Sequence, residues 1–141
     1  MKISVEEYLR GYDTIYPQEC TAEILTNAAK TVAAVNVLLS VLEAEGVPLE
    51  KNRLGSIVNS GWRPPQVNGQ ITNAAPKSKH MTAQACDLYD PEGSIDDYLF
   101  SEAGQRVLVA QRLYLEHPAS TKGWSHVQTE APRSGNRTFF P

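Results

Sequence analysis

The stretch Ser78-Lys79-His80-Met81-Thr82-Ala83-Gln84-Ala85-Cys86-Asp87-Leu88-Tyr89 sets the architecture. Its second part, Ala83 to Tyr89, is a short apolar run and predicts a buried strand. Asp87 interrupts that run, and a buried carboxylate needs a partner or a cation. His80 stands seven residues before it, and a second histidine in a strand-like setting, His126, follows in Trp124-Ser125-His126-Val127-Gln128. Two imidazoles and one carboxylate make three ligands and leave a fourth tetrahedral position for water, the pattern of a catalytic rather than a structural zinc site. Cys86 alternates with Asp87 along the strand and so points to the opposite face, which argues against it as a ligand.

Upstream, Ser4 with Glu7 reads as a capping box over a short helix ending near Arg10. Thr21 opens a long helix in which Ile24, Leu25, Ala28, Val32, Val35, Leu38, Leu39 and Leu42 recur at three and four residues, closed by Gly46. The β-branched segment Gly55 to Trp62 predicts a strand that ends at Pro64-Pro65, and Gln66 to Ala75 predicts a loop or single helical turn. Downstream, Ser94 to Tyr98 and Ser101 to Arg112 predict helices, and Leu113 to His117 pairs with Trp124 to Gln128 as a hairpin. The tail holds Phe139 and Phe140, which are expected to lie against the body. The expectation is one α+β domain over residues 1–141: a small, mainly antiparallel sheet with helices packed on one side and zinc at one sheet end.

Composition narrows the function. In 141 residues, 41% are hydrophobic and 21% charged, ordinary for a chain with a real core. A net charge of −3 removes the electrostatic case for a nucleic-acid binder or a polybasic membrane-surface protein. The apolar stretch Thr31 to Leu42 is too short to span a bilayer, and Glu6, Glu7 and Asp13 interrupt the N-terminus where a secretory signal would be apolar. Cys20 and Cys86 form no metal or redox motif. Asp90, Asp96 and Asp97 lack the alternation of a calcium loop and read as a solvated turn and helix start.

The segment Ser78 to Asp87 resembles the S-x-H-x-x-G-x-A-x-D signature of zinc D-Ala-D-Ala carboxypeptidases and related peptidoglycan endopeptidases, a family that shares its fold with hedgehog signalling domains. Ser60-Gly61-Trp62-Arg63, followed by Asn68, is similar to the family's S-G-Y/W-R-x-x-x-x-N segment, and Gly123-Trp124-Ser125-His126-Val127 to the strand that brings the third ligand. The resemblance covers roughly Ser56 to Gln128. It implies that His80, Asp87 and His126 bind one zinc, that Arg63 faces the substrate's carbonyl or carboxylate, and that Ser78 helps to hold the substrate, with Asn68 and Trp124 as further substrate-side residues. The implied partner is a peptidoglycan stem peptide, with no nucleic acid and no membrane, and a monomer is expected. The implied activity is hydrolysis of a stem-peptide amide bond by an endolysin-like endopeptidase; a D-Ala-D-Ala carboxypeptidase is the alternative within the family. By analogy, the protein is made in the cytoplasm of a bacterial host and reaches the wall after release, or rides on a phage virion. The rival from another class is a non-catalytic, zinc-stabilised wall-binding or phage structural domain. A third reading has no metal, with His80 and His126 as ordinary polar residues of a binding domain.

The chain departs from the signature in three places. Ala83 replaces a glycine, which is tolerable at negative φ. The positions where relatives carry a general base, three or two residues before the last ligand histidine, are Gly123 and Trp124. Gln128 stands where many relatives carry an acid. In the expected hairpin, residues near 116 oppose residues near 126, which nominates Glu116 as the base. A one-residue slip would turn Glu116 away and bring in His117 instead.

Overall fold

Thr21 holds extended backbone, and its hydroxyl accepts the amide of Ile24 at 3.2 Å, so the longest helix starts where its cap stands. In the computed structural model, which describes residues 1–141, the elements are α1 (Val5–Leu9), α2 (Tyr12–Ile15), α3 (Ala22–Ala44), β1 (Val58–Ser60), α4 (Pro65–Asn68), β2 (Ala85–Asp90), α5 (Ser94–Phe100), α6 (Glu102–Gln111), β3 (Tyr114–Glu116), β4 (Gly123–Gln128) and β5 (Thr138–Phe139). A 3₁₀ turn spans Pro118–Ser120.

Helix α3 buries Ala28, Thr31, Val32, Val35, Leu38, Leu39 and Leu42. Burying its large aliphatic side chains contributes about 1.5–3 kcal/mol each, an upper estimate that still makes this helix the main support of the core. Leu25, expected in the stripe, is 44% exposed. The helix runs 23 residues, not the 12 of its most apolar stretch, and by length and composition alone it could cross a membrane. Here its stripe faces the protein, where Asn36 anchors it by exchanging two hydrogen bonds with the backbone of Ile3.

Five strands form one mixed sheet in the order β1-β2-β4-β3-β5. The first three pairings are antiparallel and β3–β5 is parallel. The chain is therefore α+β. Alternation along the central strands separates two faces: Cys86, Leu88, Leu115 and Val127 are fully buried in the core with α3 and the other helices, while Asp87, Tyr89, Trp124, His126, Gln128 and Glu116 occupy the other face.

Several local expectations change in the folded chain. Strand β1 is three residues long instead of eight, because Arg10 Nη1 and Asn52 Nδ2 both donate to Val58 O, Arg10 also donates to Asn59 O, and the pairing with β2 is irregular between Val58 and Ser60. Half of the capping box forms: Ser4 Oγ accepts the amide of Glu7, but the Glu7 carboxylate accepts from Ser56 instead of returning to Ser4. The acidic turn is solvated only in part: Asp97 is exposed, as expected, but Asp90 and Asp96 are not. Asp90 is buried and caps α5, accepting the amides of Ile95 and Asp96 at 2.9 and 3.0 Å, and buried Asp96 accepts from Thr121 Oγ1 at 2.6 Å.

Candidate metal centre

Strand register assembles the site. Asp87 lies directly across from His126 in the β2–β4 ladder, so both side chains leave the same face in the middle of the two central strands. The cluster therefore stands on the face of the sheet, not at its end. His80 arrives from the turn before β2, where its carbonyl accepts the amides of Arg63 and Ala83. Asp87 Oδ1 is 2.8 Å from His126 Nδ1, and Asp87 Oδ2 is 3.2 Å from His80 Nε2. The three ligand atoms lie within 4.8 Å of one another, and the two rings meet edge-on at 5.2 Å between centroids.

The far nitrogen of each ring is engaged. His80 Nδ1 lies 2.8 Å from Gly61 O, an acceptor only, so it carries the hydrogen and Nε2 keeps its lone pair. His126 Nε2 lies 2.9 Å from Gln128 Oε1. His80 Nε2 is buried and near Asp87, yet makes no properly directed hydrogen bond. A lone pair set against a carboxylate oxygen is repulsive unless a cation joins them, and two imidazoles with one carboxylate are a donor set suited to zinc. The residues present therefore fit a divalent metal.

Charge is unevenly shared in the cluster. Burial pushes His80 below its ordinary pKa despite the neighbouring Asp87. At His126 burial acts in the same direction, but the hydrogen bond and charge of Asp87 outweigh it and raise the pKa. Burial would raise Asp87, but its interactions with His80 and with the hydrogen-bonded His126 hold it well below the usual carboxylate range.

The remaining predicted residues divide. Arg63 is half-buried beside the cluster: Nη2 donates to Ser78 Oγ at 3.3 Å, Nε is buried without a partner, and burial lowers its pKa while Asp87 pulls it back up. Ser78 Oγ also accepts the amide of His80 at 3.2 Å. The pairs Tyr114↔Gln128 and Leu115↔Val127 continue to Glu116 opposite His126, which puts Glu116 on the ligand face. Burial raises its pKa; His126 opposes that rise and Asp87 adds to it. Trp124 shares this face, across from Tyr89.

Two residues go elsewhere. His117 alternates to the other side of β3, where its Nδ1 accepts the amide of Ala119 and its ring stacks on Phe140 at 4.2 Å and meets Phe100 at 4.9 Å. Asn68 is buried and braces its own loop by donating to Ala75 O at 3.0 Å. Ala83 has φ of +57°, so the negative φ that would make alanine tolerable in place of glycine is not met. Sequence reasoning assigned no role to Gln128, to the Gly61 carbonyl or to Phe139, whose ring stands edge-on to His126 at 6.2 Å. The available signal was strand period, which places residue 128 on the same face as 126. No protein-family model, curated protein or solved structure matches this chain in comparison.

Proposed function

We propose that this chain is a zinc-dependent peptidase that hydrolyses an amide bond in the stem peptides of peptidoglycan. The observation that carries the reading is the convergence of His80 Nε2, Asp87 and His126 Nδ1 on one sheet face, with the far nitrogen of each imidazole already engaged. His80, Asp87 and His126 would hold the metal. Zinc in such a site makes water acidic enough to ionise near neutral pH and polarises a carbonyl. Glu116, on the same face and beside His126, accepts a proton and passes it to the leaving amine. Arg63 turns its guanidinium toward the developing negative charge, and the Ser78 hydroxyl, whose oxygen already accepts twice, keeps its hydrogen to donate to substrate. The resemblance of the Ser60 to Asn68, Ser78 to Asp87 and Gly123 to Val127 segments to peptidoglycan peptidases supports the substrate class.

The test is metal content by elemental analysis, with release of new amines from purified sacculi before and after chelation. About one zinc per chain and chelator-sensitive release are expected. Glu116→Gln should keep the zinc and lose the release. Zinc without release would turn the reading to a wall-binding or structural module, and no zinc would overturn it.

A further inference from the structure

We propose that Gln128 is the positioning residue that fixes the tautomer of His126, so that this imidazole binds metal through Nδ1 while Nε2 keeps its hydrogen. The inference rests on the zinc reading above and concerns how one ligand is aimed. The amide of Gln128 has a donor end and an acceptor end. Its Nε2 donates to Glu130 O at 2.8 Å, which commits the donor end and leaves Oε1 facing His126 Nε2 at 2.9 Å. An oxygen acceptor there requires a hydrogen on Nε2, so a metal that displaces the Nδ1 hydrogen now facing Asp87 Oδ1 would meet the lone pair of Nδ1. Gln128 is 5% exposed, so bulk water does not compete for these bonds.

The arrangement is dictated locally. Residues 126 and 128 share a face by the period of the strand, and Gln128 lies across from the small Ala85 on one side and from Tyr114 on the other. His80 is tied in the same manner by Gly61 O, so one ring is aimed by a backbone carbonyl and the other by a replaceable side chain. That asymmetry makes the role testable. A neutral amide also cannot take the Nε2 hydrogen as a carboxylate could, so His126 serves as a neutral ligand.

The experiment uses the full chain with ¹⁵N-labelled histidine, loaded with zinc, and reads the His126 ring by long-range ¹H–¹⁵N correlation beside a competitive zinc titration. Wild type is expected to show a protonated Nε2 and a metal-bound Nδ1. Gln128→Met removes the acceptor at similar volume and is expected to weaken zinc binding roughly 10–100-fold, the usual cost of losing an outer partner of a ligand histidine. The wild-type ring assignment decides the matter if Gln128→Met does not fold. A metal-bound Nε2 in wild type, or wild-type affinity in Gln128→Met, would overturn the inference while leaving the zinc reading intact. A wild-type chain that takes up no zinc would overturn both.

Discussion

The guanidinium of Arg63 donates to Ser78 Oγ at 3.3 Å, and the same hydroxyl accepts the amide of His80 at 3.2 Å, so one oxygen joins a cation to the backbone of a residue of the cluster. The Arg63 amide closes the link by donating to His80 O at 3.0 Å. The cation is thereby held beside the cluster without serving as a ligand. Arg63→Ala is expected to lower amine release from sacculi by roughly 10²–10³-fold, the scale for a lost oxyanion donor. Zinc content should be unchanged. Arg63→Lys should recover only part of the rate, because an ammonium lacks the planar fork. A wild-type rate in Arg63→Ala would remove this residue from the chemistry.

Gly61 is required by space. A Cβ there would stand 2.0 Å from Tyr8 O, and α1 is pinned at that point by Trp62 N donating to Tyr8 O and by the Tyr8 hydroxyl donating to Ala85 O at 2.7 Å. Gly61→Ala must push α1 away or move the carbonyl that holds His80 Nδ1. We expect a loss of about 2–3 kcal/mol, read as a lower urea midpoint. Weaker zinc binding should accompany it; an unchanged midpoint would contradict the packing described.

Ala83→Gly is expected to be nearly neutral. The left-handed conformation at Ala83 costs about 1–2 kcal/mol, which glycine relieves. Against that, the buried methyl contributes about 0.8 kcal/mol and glycine adds about 0.4–1 kcal/mol of unfolded-state entropy. The terms offset, which accounts for an alanine standing in a position that favours glycine. A thermal-unfolding shift of more than about 4 °C in either direction would contradict this balance.

Asp96 gives a pH-dependent prediction. Burial raises its pKa, so the folded state holds the proton more tightly than the unfolded chain does. That contribution to stability is present below the unfolded value of about 3.9 and is lost as pH rises through the higher folded value. Asp96→Asn removes the loss: its oxygen still accepts from Thr121, and its new amide hydrogens can donate to the neighbouring Ser125 hydroxyl. The variant should gain on wild type as pH rises from about 4. At neutral pH it should lead by about 1 kcal/mol, the worth of one buried hydrogen bond. Parallel stability–pH curves would exclude this role for Asp96.

What the sequence disclosed was whatever rests on period and local caps. The α3 stripe, its Thr21 cap, strand β2 and the pairing that sets Glu116 opposite His126 all follow from neighbours a few residues apart. What stayed hidden depends on partners distant in the chain. His117 is removed from the site by Phe100 and Phe140, and β1 is shortened by Arg10 and Asn52. Asp96 is buried by the turn that carries Thr121. The left-handed Ala83 is set by Thr31 of α3, whose hydroxyl donates to its carbonyl at 2.7 Å. Gln128 lay in plain view, but its role needs the carbonyl of Glu130 to orient the amide.

The wide spacing of His80, Asp87 and His126 along the chain bears on what must fold before a metal could bind. His80 and Asp87 are near neighbours in the chain, but His126 lies 39 residues beyond Asp87, across α5, α6 and β3. Closing that segment costs entropy before any bond to His126 is made. The 21-residue apolar cluster that repays it contains none of the three ligands. A zinc finger is unfolded without its ion; here the core stands apart from His80, Asp87 and His126, so on the zinc reading chelation should silence the protein reversibly without unravelling it.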